Sequence, residues 1–172
     1  LPILLGGTHE LVRLDPATGQ FKSFAIGMYA HSLALDGRGR IWFNDYFART
    51  EQIGVFDPAT ETVTHFDIPS AGLTDAQGLP LPYGLQIDGT GRLYSTQLAG
   101  NTVVMYDTND GTSKLYAMPG DNLGPRRPAI GPGNQLWIPE WTTGHLTRFD
   151  PADESDRKST RLNSSHQIIS YA

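Results

Sequence analysis

The 172-residue sequence contains no cysteine, which excludes disulfide bonds and thiolate metal sites but leaves the redox compartment undetermined. No apolar run is long enough to span a bilayer, and no segment keeps the apolar period of an amphipathic helix. Basic residues are few, with 13 Lys and Arg against 18 Asp and Glu. Nucleic acids and anionic membranes bind basic patches, so the sequence predicts neither as a partner.

One phrase recurs four times along the chain. It begins with Asp and, in its fullest form, reads Asp-Pro-Ala-Thr, with its aspartates at positions 15, 57, 107 and 150. A second phrase runs in step with it: Asp36-Gly37-Arg38-Gly39-Arg40 returns as Asp88-Gly89-Thr90-Gly91-Arg92. A period of 40 to 50 residues is typical of β-propeller blades.

Within each repeat, short runs alternate apolar and polar residues, as strands do, and Gly, Pro and Asp separate the runs. Four such strands per repeat predict an all-β fold: a partial β-propeller of about three four-stranded antiparallel blades. The first residues already match the middle of a repeat, so we expect a fragment whose remaining blades belong to the same chain. The expected propeller fragment is 1–155, with the end of one blade at 1–24 and further blades at 30–68, 82–118 and 126–155.

The last 17 residues break the pattern. From Asp156 onward the sequence has no alternation and no turn signals, and it resembles the translation of a common DNA sequencing-library adapter. We therefore expect residues 156–172 to be a non-native or disordered tail. The tail holds three basic residues and one acidic residue, which leaves 10 basic and 17 acidic residues before it.

The order of strands assigns the loops to two faces. If the strands of a blade are a, b, c and d from the axis outward, the a–b and c–d turns share one face, here called the turn face. The b–c loops and the crossovers between blades share the other, the loop face. The turn face carries the short repeated phrases, so we expect their aspartates to form turns only. The loop face carries long, varied segments, which is where binding residues usually lie.

Candidate functional residues enter or leave the inner strands on the loop face. A His, a Tyr, arginines and carboxylates at the mouth of a propeller channel could supply a general base, an oxyanion donor and a cation site. His31 and Glu140 are the candidate catalytic residues. The candidate ligand-binding residues are Asn44, Asp45, Tyr83, Gln97, Arg126, Arg127 and Trp141. Trp42, Tyr94 and Trp137 occupy one repeat position and are predicted to pack between blades.

The repeated phrases resemble those of virginiamycin B lyase (streptogramin lyase) and its relatives. The segments that carry the resemblance are 39–44, 52–57, 91–94 and 134–140. The resemblance implies a seven-bladed, magnesium-dependent bacterial enzyme that opens a cyclic depsipeptide ester by elimination, with a His base and a metal-bound Glu. Only Glu140 falls on the phrase-ending Glu of that family, and His31 is the one His at a channel-mouth position. The resemblance thus makes Glu140 a possible metal ligand.

Three functions stay open at this point. The first is a metal-assisted lyase acting on an ester or lactone. The second is a non-catalytic propeller that binds a small molecule, a glycan or a peptide. The third is a calcium-dependent lactonase similar to gluconolactonase-type propellers. All three predict a small-molecule or peptide-like ligand, and the cellular location stays undetermined, with periplasmic or secreted preferred.

Overall fold

The computed structural model describes residues 2–49, 52–69, 75–76 and 78–153, and the backbone of 157–161. The described strands form four antiparallel sheets that follow one another along the chain. The first sheet has three strands: β1 (Pro2–Leu5), β2 (Glu10–Leu14) and β3 (Phe21–Ala25). The second has four: β4 (Ala30–Leu35), β5 (Ile41–Asp45), β6 (Ile53–Asp57) and β7 (Thr62–Phe66).

The third and fourth sheets repeat the four-stranded pattern. The third comprises β8 (Pro82–Ile87), β9 (Arg92–Gln97), β10 (Thr102–Asp107) and β11 (Ser113–Ala117). The fourth comprises β12 (Ala129–Ile130), β13 (Leu136–Pro139), β14 (His145–Phe149) and β15 (Arg157–Arg161). Helical structure in the described residues is limited to two short 3-10 segments, Gly6–Thr8 and Pro132–Asn134, and none of it is long and apolar enough to cross a membrane.

β15 lies in the segment that the sequence predicts to be foreign. It pairs antiparallel with β14 and takes the outermost position of the fourth sheet, as β7 does in the second. The outer strands β7 and β11 are exposed or half-buried at all but one of their residues. A backbone pairing of this kind depends little on sequence, so the origin of residues 156–172 stays a prediction.

The hydrophobic core lies between consecutive sheets. Phe43 and Phe56 of the second sheet pack with Leu11 of the first. Trp42 packs with Leu85 and Leu93 of the third, and Tyr94 packs with Leu136 and Ile138 of the fourth. Full burial of such side chains stabilises the fold by about 1.5–3 kcal/mol each.

The predicted inter-blade position is confirmed for two of its three residues. Trp42 is 1% exposed and Tyr94 is fully buried. Trp137 is only half-buried. Its neighbours Leu136 and Ile138 pack against the third sheet, so Trp137 lies on the opposite face, which no other described sheet covers. The same residue type therefore has a different burial at the end of the array.

The turn face is built by the repeated aspartates, as predicted. Asp15, Asp57, Asp107 and Asp150 each accept a hydrogen bond from the backbone N–H two residues later, at 2.8–2.9 Å. Asp36 accepts from the backbone N–H groups of Arg38 and Arg40, both at 2.9 Å. These carboxylates satisfy turn donors and face away from the loops.

Candidate functional site

His31 lies at the start of β4, on the loop face. Its Nδ1 atom is 3.0 Å from the main-chain oxygen of Tyr83, and the Ser32 hydroxyl donates to the same oxygen at 2.8 Å. A carbonyl oxygen can only accept, so Nδ1 carries the hydrogen and Nε2 is left with its lone pair. Among the described residues, no group hydrogen-bonds to Nε2.

The surroundings of His31 favour the neutral form of its imidazole. Burial lowers the pKa of His31 below its usual 6.5, and the positive charges of Arg127 and Arg126 lower it further. The Tyr83 carbonyl raises the pKa, but by less. A neutral imidazole with a free Nε2 lone pair is the form that accepts a hydrogen bond or removes a proton.

Aromatic rings surround this imidazole. Tyr46 stacks on His31 with ring centroids 5.0 Å apart and an interplanar angle of 27°, and Tyr83 lies at 4.3 Å. Phe47 contacts Tyr46 at 4.9 Å, and Tyr29 contacts Phe47 at 4.8 Å. The rings form one continuous cluster across the second and third sheets.

Two arginines and a tryptophan extend the cluster to the fourth sheet. The Cζ atom of Arg126 lies 3.7 Å from the Trp141 ring centroid and 5.0 Å from that of Tyr83. Arg127 Cζ lies 5.2 Å from the Tyr83 ring. Trp141 itself is 66% exposed. The structure thus brings together four of the predicted site residues with His31, and we call His31, Tyr46, Tyr83, Arg126, Arg127 and Trp141 the mouth cluster.

A cleft of about 390 Å³ opens beside the mouth cluster. His31 and Arg127 provide polar groups in its wall, and Leu4, Leu33 and Leu85 provide apolar surface. A second cavity, of about 190 Å³, lies between the first two sheets and has mainly apolar walls, so it offers little for chemistry.

Glu140 is turned away from this cleft. It is 3% exposed, and its two carboxylate oxygens accept hydrogen bonds from the hydroxyls of Thr143 and Thr147. His145 Nδ1 lies 3.9 Å from one of these oxygens. The structure therefore places Glu140 under its own b–c loop and does not bring it to His31; its catalytic role stays a prediction.

The remaining predicted ligand residues support loops. Gln97 is fully buried; its Nε2 donates to Gln52 Oε1 and to the Pro69 carbonyl, both at 3.1 Å.

Asn44 is also fully buried and accepts from the Ser32 N–H at 2.9 Å. Asp45 is half-buried and accepts from the N–H groups of Tyr29 and Phe47 at 3.0 and 2.9 Å. Asp45 thereby shapes the loop that presents Tyr46.

The described residues do not form a metal site. Among them, no group of three or more His, Cys, Asp or Glu side chains lies close enough together to hold an ion. Glu140, the possible ligand, has hydroxyl donors on both oxygens, and a cation would have to displace them. The residues present in this part of the chain thus do not fit a magnesium or calcium ion.

Tyr46, Phe47 and Tyr29 are the site residues that the sequence did not single out. Tyr46 and Phe47 lie in the b–c loop after β5, where no strand period applies. The sequence feature that could have pointed to them is the pair of adjacent aromatic residues, Tyr46 and Phe47, in a loop on the loop face.

Comparison with known proteins supports the fold. No family model and no curated protein sequence matches the chain. The solved structure of a streptogramin B lyase matches with a TM-score of 0.80 and 22% identity, over 95% of this chain and 51% of that one. A catalytically inactive virginiamycin B lyase from Staphylococcus aureus with quinupristin matches with a TM-score of 0.76 and 18% identity, over 92% and 50%.

A structure from a different functional class matches as well. The nidogen/laminin complex has a TM-score of 0.69 at 14% identity, over 90% of this chain and 57% of that one. The chain thus spans about half the length of the solved structures it matches. Likenesses at this identity show the fold alone, and they confirm that the chain is a partial β-propeller of the kind found in streptogramin lyases.

Proposed function

We propose that the loop face binds a small aromatic or peptide-like molecule at the mouth cluster. The observation that carries this proposal is the cleft of about 390 Å³, which has His31 and Arg127 in its wall. Ligand sites are clefts of about 300–1,000 Å³ with apolar walls and a few convergent polar groups. This cleft combines apolar leucine surface with the Nε2 acceptor of His31 and the positive charge of Arg127, and Ser32 and Gln86 also line it.

The rings beside the cleft suit an aromatic ligand. Tyr83 and Tyr46 offer apolar ring surface next to His31, and Trp141 exposes 66% of its surface beside them. Aromatic pairs contribute about 0.5–1.5 kcal/mol beyond the area that they bury. Rings held by their neighbours lose little side-chain entropy on binding, so most of that energy is kept.

One observation favours a second function, the opening of an ester or lactone ring. His31 has a neutral imidazole whose Nε2 lone pair is available beside the cleft. In an elimination, Nε2 would take a proton from the carbon next to the one that bears the ester oxygen. The C–H electrons would form the new double bond, and the C–O bond would break, leaving a carboxylate. A magnesium or calcium ion stays a prediction for the complete protein.

Quinupristin, the molecule present with the neighbouring virginiamycin B lyase, separates these functions. The complete protein that contains these blades should be incubated with quinupristin and magnesium, and the mixture followed by liquid chromatography with mass spectrometry. Elimination gives a linear product of unchanged mass, whereas a lactonase adds the mass of one water. Saturable binding without a product supports binding alone. The proposal would be overturned if quinupristin is neither cleaved nor bound and if N-acetyl-L-phenylalanine and its amide do not bind either.

The matched variant for this experiment is His31→Asn. The Asn amide can still donate to the Tyr83 carbonyl, but the variant lacks the Nε2 base. If His31 is the general base, turnover should fall by roughly 10²–10⁴-fold, well beyond the loss of affinity that follows from removing the Nε2 acceptor. Unchanged turnover in His31→Asn would exclude the general-base role and leave the binding proposal intact.

A further inference from the structure

We propose that the ligand carries a carboxylate, which Arg127 and Arg126 bind at the edge of the cleft. This inference rests on the proposed function, because it names the chemical class of the molecule bound there. It follows from the absence of ion-pair partners at the two guanidinium groups among the described residues, from the contacts that hold Arg126, and from the tautomer of His31, which lines the cleft together with Arg127.

The two arginines are not neutralised by other side chains. The ion pairs Lys22–Glu61 and Arg40–Asp36 and the contact of His145 with Glu140 do not involve either arginine. Neither Arg126 nor Arg127 forms an ion pair or a side-chain hydrogen bond within the described part of the chain. Two adjacent positive charges therefore face the mouth without a carboxylate between them.

Three acidic side chains of the neighbouring loops accept hydrogen bonds from other groups. Asp45 accepts from two backbone N–H groups of its own loop, and Glu140 accepts from two threonine hydroxyls. Asp75 lies close enough to influence Tyr46, but it accepts from the Leu79 N–H at 2.9 Å. None of these three carboxylates forms an ion pair with Arg126 or Arg127 in the described part of the chain.

Arg126 is held in a fixed position before any ligand arrives. Its guanidinium lies between the rings of Trp141 and Tyr83, with Cζ at 3.7 and 5.0 Å from their centroids. Its backbone N–H donates to the Pro139 carbonyl at 3.0 Å, and its carbonyl accepts from the Thr96 hydroxyl at 2.8 Å. Its Nε atom is buried and has no hydrogen-bond partner. Its terminal N–H groups have no hydrogen-bond partner among the described residues and are not buried, and a planar guanidinium of this kind matches the two oxygens of a carboxylate.

Arg127 brings the charge to the cleft itself. It is exposed and lines the cleft together with His31, and its Cζ lies 5.2 Å from the same Tyr83 ring that Arg126 contacts. Neutral Nε2 of His31 is an acceptor, so it repels a carboxylate and attracts an N–H or O–H donor. The arrangement therefore predicts a ligand with a donor on the His31 side, an aromatic group on Tyr83, and a carboxylate toward Arg127.

N-acetyl-L-phenylalanine and its amide are the matched probes for this prediction. Both carry a ring and an N–H donor, and they differ only in the carboxylate. We expect the complete protein to bind the acid roughly 10- to 100-fold more tightly than the amide in isothermal titration calorimetry. The ratio should fall as salt is added, because ions screen exposed charges.

Arginine variants identify where the preference arises. Arg127→Gln should bring the acid-to-amide ratio close to one, and Arg126→Lys should lose most of it, because Lys keeps the charge but not the planar, ring-stacked donors. Arg38→Gln on the turn face is the control, since it removes the same charge at a distance and leaves the ratio unchanged. Far-UV circular dichroism and the unfolding midpoint show whether each variant is folded, and exposed Arg127 gives a test that does not disturb the core.

The outcomes are distinguishable. Equal binding of acid and amide overturns the carboxylate inference and leaves ligand binding at the mouth cluster standing. A preference for the acid that survives both arginine variants also overturns the inference, because the carboxylate would then bind elsewhere. If the protein binds neither the acid nor the amide, the carboxylate inference is also overturned. If quinupristin is in addition neither bound nor cleaved, the proposed function fails as well.

Discussion

Replacing Asp36 by Asn tests how the turn face is held together. One carboxylate oxygen, Oδ1, accepts from two backbone N–H groups, while Oδ2 accepts from Arg40 Nε at 2.7 Å and from Trp42 Nε1 at 2.9 Å. Asn would set its NH₂ group against one of these pairs of donors. If it faces Trp42, the buried indole N–H loses its partner at a cost of about 1–3 kcal/mol. The partly exposed Arg40 pair adds about 0–1 kcal/mol.

Thermal unfolding of the complete protein measures this cost. A destabilisation of about 1–4 kcal/mol lowers the midpoint by roughly 2–4 °C per kcal/mol in a chain of 150–250 residues, and by less in a longer one. Asp57→Asn is the matched control: it lies in a turn of the same face, and its Oδ1 accepts from the Ala59 N–H, a bond that Asn can keep. If Asp36→Asn lowers the midpoint no more than Asp57→Asn does, the reasoning from the buried Trp42 N–H is refuted.

The same carboxylate makes stability depend on acid pH. Burial raises the pKa of Asp36, but the hydrogen bonds from Trp42, Arg40 and Arg38 outweigh it and hold the pKa below the ordinary 3.8. Folding then favours the charged form, so the stabilisation is complete above pH 3.8 and is lost as the pH falls through the folded-state pKa. The stability difference between the native chain and Asp36→Asn should therefore shrink as the pH falls below 3.8.

Two further changes test the mouth and the core. By NMR, the His31 imidazole should titrate below pH 6.5. Arg127→Gln should raise the midpoint of this titration, because removing a positive charge favours the imidazolium. A midpoint at or above 6.5 in the native protein would contradict the neutral site. Gly54→Ala should cost about 1–3 kcal/mol by overpacking, because a Cβ there would lie 2.4 Å from Phe43 Cε2 and 3.0 Å from Met28 Sδ. Gly37→Ala, whose Cβ meets nothing within 4 Å, is the comparison, and equal unfolding midpoints would count against the packing argument.

The repeats allowed the fold to be predicted because they combine turn chemistry with strand alternation. Asp57 and Asp36 indicate turns because their carboxylates accept hydrogen bonds from backbone N–H groups a few residues away, which is a local property. The alternation of apolar and polar residues around Trp42 indicates which face of the strand is buried. The half-burial of Trp137 lay beyond local reasoning, because it depends on whether another sheet covers the end of the array.

The candidate site was predicted less completely. The order of strands gave the correct face for His31, Tyr83 and Arg126, since hairpin reversal fixes the face on which each strand begins. It did not give the side-chain direction at the ends of the second strands. There, Gln97 and Glu140 turn beneath their own loops to satisfy buried polar groups, a choice that depends on threonines on the neighbouring strands.

The hydrogen bond between His31 Nδ1 and the Tyr83 carbonyl links two adjacent blades through the main chain of one of them. Any amino acid at position 83 supplies that oxygen, so a substitution of the Tyr83 side chain leaves the acceptor that fixes the tautomer of His31 in place. The tautomer does not tolerate a change in the spacing of the blades, because the carbonyl moves with the whole strand β8. The protonation pattern of this imidazole therefore depends on how two blades are spaced, and not only on the residues of the mouth cluster.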